Sequence, residues 1–106
     1  MAQELQIEVV RDGVEVAVSG RLDVRSAPVA RSLLHDLVTE GEGDLSVNVT
    51  GLEIWDASGL GVLVGAHRRA RQAGRRLVLT GVPPRQLRLL RATRLHRLLV
   101  LEPAVA

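Results

Sequence analysis

The sequence predicts an α/β protein: a mixed, largely parallel sheet of four to five strands, opened by an N-terminal β-hairpin and covered by about three to four helices. Three observations predict it. Two alternating apolar runs flank the tight-turn signal Asp12-Gly13. After them, stretches with apolar residues at helical spacing alternate with short runs rich in Val and Leu. Glycine or proline marks most junctions between them. The resulting order β-β-α-β-α-β-α-β sets successive strands side by side through helical crossovers.

Leu5, Ile7 and Val9 alternate with Gln6, Glu8 and Val10 as a first strand, and Val14, Val16 and Val18 form the second arm of the hairpin. Gly20-Arg21-Leu22-Asp23 leaves it through a turn. Ser26, Ala27 and Pro28 open a helix, with proline in the first turn where its missing N–H costs little. That helix runs to about Glu40 and offers Val29, Leu33, Leu34, Leu37 and Val38 as its core stripe. Gly41 and Gly43 end it. Leu45, Val47 and Val49 alternate with Ser46 and Asn48 as a third strand, and Gly51 to Trp55 reads as a partly buried connection. A second helix begins near Ser58 and stops at Ala73-Gly74, with Leu60, Leu63, Val64, His67 and Ala70 as candidates for its inner face. Leu77 to Leu79 make a fourth strand, and Gly81-Val82-Pro83-Pro84 closes it. A short helix carries Leu87 and Leu90 up to Thr93, and Leu98 to Leu101 form a last strand.

At 106 residues the chain is expected to be one domain, residues 1–106, burying about two thirds of its unfolded surface. It has no cysteine, which excludes disulfides and thiolate metal sites. Met1 to Val10 alternate and carry Glu4 and Glu8, unlike a signal peptide, and no apolar run approaches the length of a membrane span. A cytoplasmic protein without membrane contact is the expectation. The net charge of +2 conceals an asymmetry. Eleven carboxylates and four arginines fall in residues 1–56; ten arginines and one carboxylate, Glu102, fall in residues 57–106. A nucleic-acid face is one reading of that half. Solvated helix faces complementing an acidic opposite surface are the preferred one.

The stretch Trp55-Asp56-Ala57-Ser58-Gly59-Leu60-Gly61-Val62-Leu63-Val64-Gly65 stands out as the candidate functional corner. Ser58 reads as the helix cap, with Asp56 ahead of it where negative charge suits the positive helix end. Gly59, Gly61 and Gly65 each cost the helix about 0.5–1 kcal/mol relative to alanine, a cost that points to another backbone or a partner coming close. Trp55, the sole aromatic residue, is expected in the core rather than as an interface anchor. Metal binding is not indicated, since His35, His67 and His96 lack ligand spacing. A hydrolase would need a G-x-S-x-G elbow, and a dinucleotide site an acidic residue some 20 positions on; Ala57 to Leu101 contain no Asp or Glu. A phosphate on Ser58 would bring roughly −1.5 to −2 charges to a helix end that tolerates them, beside Asp56, and Asp23 from the other loop, which would repel them. Spacing alone leaves Ser58 equally readable as a plain cap.

Gly20-Arg21-Leu22-Asp23, the block Asp56-Ala57-Ser58-Gly59-Leu60-Gly61-Val62-Leu63-Val64, and the late Leu89-Leu90…Thr93-Arg94-Leu95 together resemble a STAS domain, more narrowly the bacterial anti-sigma factor antagonists. The resemblance spans essentially the whole chain. It implies a cytoplasmic partner-switching protein, not an enzyme and without a cofactor. Such a protein binds an anti-sigma factor/serine kinase of the histidine-kinase-like ATPase fold and so releases a sigma factor. The kinase breaks the complex by phosphorylation, and a serine phosphatase restores it. The contact surface it implies comprises Asp23, Asp56, Ala57, Ser58, Gly59, Leu60, Gly61 and Val62, with Ser58 as candidate phosphorylation site. One departure bears on the switch: the first hydroxyl after the aspartate, the usual acceptor of the family, is replaced by Ala57, and Ser58 matches the second. Either Ser58 has taken over, or the protein is a constitutive antagonist or a scaffold-like STAS module that is not phosphorylated. Arg94 stands where the family often has glycine.

Overall fold

The computed structural model describes residues 4–104; residues 1–3 and 105–106, included in the single-domain expectation, lie outside the described residues. The strands are β1 (Gln6–Arg11), β2 (Glu15–Leu22), β3 (Leu45–Asn48), β4 (Leu52–Ile54), β5 (Leu77–Val82) and β6 (Val100–Pro103). The helices are α1 (Ala27–Thr39), α2 (Ala57–Gln72) and α3 (Pro84–Ala92), with a 3-10 turn at Leu95–Arg97. The sheet runs β1-β2-β3-β5-β6, and β4 pairs with β2. Only β1 is antiparallel to its neighbour. The mixed α/β architecture with an N-terminal hairpin is the one the sequence pattern predicts.

The sixth strand is the addition. β2 has eight residues; its first part (Glu15–Ala17) pairs with β3 and its last part (Gly20–Leu22) pairs with β4. Between β3 and β4 the chain steps aside through a turn in which the Asn48 side chain accepts the Thr50 N–H at 2.9 Å, and Gly20 N–H reaches Gly51 O at 2.9 Å. The segment read as a connection is therefore a three-residue strand. It carries Trp55 and Asp56 to the end of the sheet where β2 delivers Asp23.

The parallel steps β2-α1-β3, β4-α2-β5 and β5-α3-β6 all advance in one direction across the sheet, so right-handed crossovers put the three helices on one face. Val16, Val18 and Leu22 of β2, Leu45 and Val47 of β3, and Leu77 and Leu79 of β5 are buried there with Leu34, Val38, Leu63 and Leu90. α1 turns a different side inward than its leucine stripe suggests. Ala27, Ala30, Leu34 and Val38 are buried, whereas Val29 and Leu33 are exposed. The helix is apolar around more than half its girth, so period alone does not choose its inner side, and the small alanines permit the closer approach to the sheet. The last strand begins two residues later than expected because Leu95–Arg97 form a turn and Leu98 and Leu99 both donate to Leu95 O. Pro103 then sits on the outermost strand, where a missing N–H is tolerated.

Arg75 holds three parts of the chain together from inside. Its guanidinium is buried and has no carboxylate beside it among the described residues. It donates instead to the carbonyls of Gly43 (2.8 Å), Val38 (3.0 Å), Leu37 (3.3 Å), Glu42 (3.5 Å) and Gly13. These are the unpaired, negative end of α1, the loop that follows it, and the β1–β2 turn. Arg75→Ala leaves those carbonyls without donors, so urea denaturation should show a loss of about 2–4 kcal/mol; Arg75→Lys, lacking the planar fork, should recover only part of it.

His67 is also buried, on α2, and neither ring nitrogen finds a partner among the described residues. Burial, and then the nearby Arg71 and Arg68, hold its pKa below the ordinary value of 6.5. The unfolded imidazole therefore takes up its proton first as pH falls. This contribution leaves stability unchanged above the unfolded pKa and lowers it as pH descends through about 6.5. Melting temperatures measured from pH 7.5 to 5.5 should fall more steeply for the native chain than for His67→Leu.

Candidate functional site

The ends of β2 and β4 lie side by side, with Leu22 paired to Ile54 and Trp55 N–H donating to Leu22 O at 3.0 Å. The two acidic loops that follow are thus adjacent, and Asp56 fastens them. One carboxylate oxygen accepts the Val24 N–H at 3.0 Å and the other accepts the Ser58 N–H at 2.9 Å. Asp56 is therefore the cap of α2, with extended backbone (φ −157, ψ −179), and the expectation that Ser58 caps it is corrected. Aspartate caps as well as serine does, and from the N-cap position its oxygen reaches the free N–H of the second helical residue. Ser58 is the second residue of the helix, half-buried, and its hydroxyl makes no hydrogen bond among the described residues.

Asp23 is used internally. It is only 9% exposed, accepts the N–H groups of Arg25 (2.9 Å) and Ser26 (3.2 Å), and takes Arg21 Nε at 2.7 Å. Burial raises its pKa, but the Ser26 and Arg25 amides and the Arg21 guanidinium outweigh that and hold it below the usual carboxylate value. Its charge is neutralised within its own loop, so it shapes the corner rather than facing a visitor.

The residues from Ala57 to Val62 divide by direction. Ala57 and Gly61 are exposed, Ser58 and Leu60 are half-buried, and Gly59 and Val62 point inward. Val62 is 1% exposed and belongs to the core, which removes it from the expected contact surface. Gly59 leaves that surface too, because a Cβ there would meet Leu22 O and Ile54 Cγ2, each at 3.0 Å. The close backbone that its sequence position implied is the chain's own. Gly61 and Gly65 differ: a Cβ on either would meet nothing within 4 Å. Ala57, Gly61 and Gly65 recur every fourth residue, making a bare stripe along the outer side of α2.

Trp55 overturns the expectation of a core residue. It is 51% exposed, with the Arg21 guanidinium 4.1 Å from its ring centroid and its Nε1 donating to Glu53 at 3.2 Å. With Val24 and Val29, both exposed, it borders an open cavity of about 850 Å³ that also meets Arg21, Arg25 and Asp56. The strand β4 explains the miss: in a three-residue strand Leu52 points in and Ile54 is half-covered, and the chain leaves the sheet at the next residue. Among the described residues no three His, Asp or Glu gather as a metal site, and no helix is long and apolar enough to cross a membrane.

The model of the family described as "Mlab, STAS domain" matches residues 5–102. The chain belongs to the STAS domain family. An anti-sigma-B factor antagonist of Staphylococcus epidermidis is 35% identical over 88 residues, 83% of this chain and 82% of that protein. One from Bacillus subtilis is 36% identical over 76 residues, 72% of this chain and 69% of that protein. The crystal structure of an anti-sigma factor antagonist from Mycobacterium paratuberculosis shares the fold with a TM-score of 0.73 at 25% identity, over 96% of this chain and 86% of that one.

The glycines of this STAS domain separate fold from surface. Gly59→Ala should destabilise by about 1–3 kcal/mol in urea, since backbone must move. Gly61→Ala and Gly65→Ala should each stabilise by about 0.5–1 kcal/mol, because only helix propensity changes.

Proposed function

We propose that this chain is an anti-sigma factor antagonist that acts by binding, not catalysis. In this reading it captures a cytoplasmic anti-sigma factor/serine kinase of the histidine-kinase-like ATPase fold and so releases a sigma factor. The observation that carries the reading is the bare stripe of Ala57, Gly61 and Gly65. Two of these residues weaken the helix and no contact among the described residues asks for them, so the reason for their absence of side chains is a surface that comes from outside. The names of the relatives, anti-sigma-B factor antagonists at 35–36% identity, supply the partner class. Asp56, Ala57, Ser58, Leu60 and Gly61 are the accessible part of the proposed contact. Trp55 and Val24 at its border offer the aromatic and apolar area that carries interface energy.

Ser58 is the proposed switch. A phosphate on its hydroxyl would stand at the amino end of α2, which tolerates the charge, yet within the first turn beside Asp56 and against the bare stripe. A partner packed on that stripe would face two or more negative charges, and each 1.4 kcal/mol of repulsion weakens it tenfold. A serine phosphatase would reset the state. One observation favours a second reading, an antagonist that is always on: Ala57, at the family's usual acceptor position, is exposed, while Ser58 is half-covered.

Incubation with ATP and the ATPase-fold anti-sigma factor from the same genome, followed by intact mass, tests both. The switch predicts one added phosphate in the native chain, lost in Ser58→Ala, and release of the partner. The constitutive reading predicts none in the native chain and one gained in Ala57→Ser. Absence of any complex with the unphosphorylated chain, or a complex indifferent to Gly61→Trp, overturns the proposal itself.

A further inference from the structure

The arginine-rich half of the chain is not balanced by the acidic half. Of its ten arginines, Arg75 is buried on carbonyls, Arg76 pairs with Asp44 at 2.6 Å, and Arg69 meets His35 at 2.7 Å. Arg68 and Arg71 on α2, Arg85, Arg88 and Arg91 on α3, and Arg94 and Arg97 beyond it are all exposed and pair with no carboxylate among the described residues. α2 and α3 are successive crossovers on the same face of the sheet. The carboxylates lie elsewhere, chiefly on the β-hairpin, at the end of α1 and in the 40–44 loop.

Two features show positive charge placed against the preference of the backbone. Arg94 is the only non-glycine residue with positive φ among the described residues (φ 62, ψ 13), in the turn between α3 and Leu95. Glycine would take that conformation without steric cost. Arg85 lies in the first turn of α3, at the positive end of the helix, where no acidic residue is present and a carboxylate would be the stabilising choice. Arg85, Arg88 and Arg91 then follow at three-residue spacing, where like charges repel. The patch also lacks what a protein interface needs, a large apolar centre: Leu98 is its one exposed large hydrophobic residue.

We propose that the outer surface of α3 and the Arg94 turn bind the phosphate backbone of double-stranded nucleic acid, without reading its sequence. Guanidinium forks match phosphate oxygens in pairs, and the five from Arg85 to Arg97 give a binding energy that depends on released counterions. A duplex is favoured over a single strand because the patch has no aromatic ring for bases to stack on; Trp55, the sole aromatic, borders a different corner. This inference stands on a surface separate from the Ser58 corner and does not rest on the antagonist reading.

Fluorescence anisotropy with a labelled 24-base-pair DNA duplex tests it. Binding should be measurable at 50 mM salt. It should weaken on the order of several hundredfold by 200 mM if five phosphates are engaged. The double variant Arg88→Gln with Arg91→Gln should reduce the log–log salt slope by about two. Arg94→Gly should raise the melting temperature while loosening DNA, opposite signs that a damaged fold cannot produce. No binding at 50 mM salt, or a slope unchanged in the double variant, overturns the proposal. So does preferential binding to phosphatidylserine-containing vesicles, or loss of anti-sigma binding in the double variant with DNA binding intact.

Discussion

The corner depends on one carboxylate. Asp56 spans two loops that are 32 residues apart in sequence, taking the Val24 amide with one oxygen and the Ser58 amide with the other. Without it, the start of α2 would lose its cap and the Val24 loop its tether together. The sheet makes this bridge possible. Because β2 pairs with β3 first and then with β4, the ends of β2 and β4 finish level, and the residues just past them meet. Parallel strands place such meeting points at their carboxyl ends, where ligands and partners of α/β proteins usually gather.

Most of the architecture was legible in the sequence because alternation and helical spacing report burial directly. The hairpin, the three helices and the parallel strands all come from patterns in Val, Leu and Gly. The exceptions share a cause. β4 is three residues long, too short for alternation to register, and it is recognisable only by the strand it pairs with. Val29 and Leu33 of α1 look like core because they are large and apolar, but Ala27 and Ala30, poor in hydrophobic signal, are what the sheet admits. Arg75 left no trace at all: a buried arginine served by carbonyls has no charged partner to be found in sequence.

The site was legible as a place and not as a set of directions. The block from Asp56 to Gly65 was marked by its glycines, yet those glycines answer different demands. Gly59 is required by Leu22 and Ile54 on its own sheet, while Gly61 and Gly65 open onto solvent. A sequence presents all three alike. Likewise Asp23 and Asp56 read as a pair of surface acids, but the first is saturated by three donors from its own loop and the second is a cap. Only the fold distinguishes a carboxylate that is offered from one that is already engaged.

The two proposed surfaces lie on α2 and α3, and the two halves of α2 show how far helix stability can explain its residues. The outer side of the first half has almost no side chains; the last turn carries Arg69 and Arg71, with Arg68 just before them. The helix dipole accounts for the basic end, since cations near a carboxyl terminus gain about 0.3–1 kcal/mol each. It accounts for neither the bare half nor the arginines of α3. Glycine at positions 61 and 65 lowers stability, Arg85 sits at the wrong helix end, and Arg94 occupies a conformation suited to glycine. A chain selected for stability alone would reverse all four choices, with Ala at 61 and 65, Glu at 85 and Gly at 94. That they fall on two separate stretches of one exposed helical layer, and nowhere in the core, argues that two external surfaces, rather than the fold, set those residues.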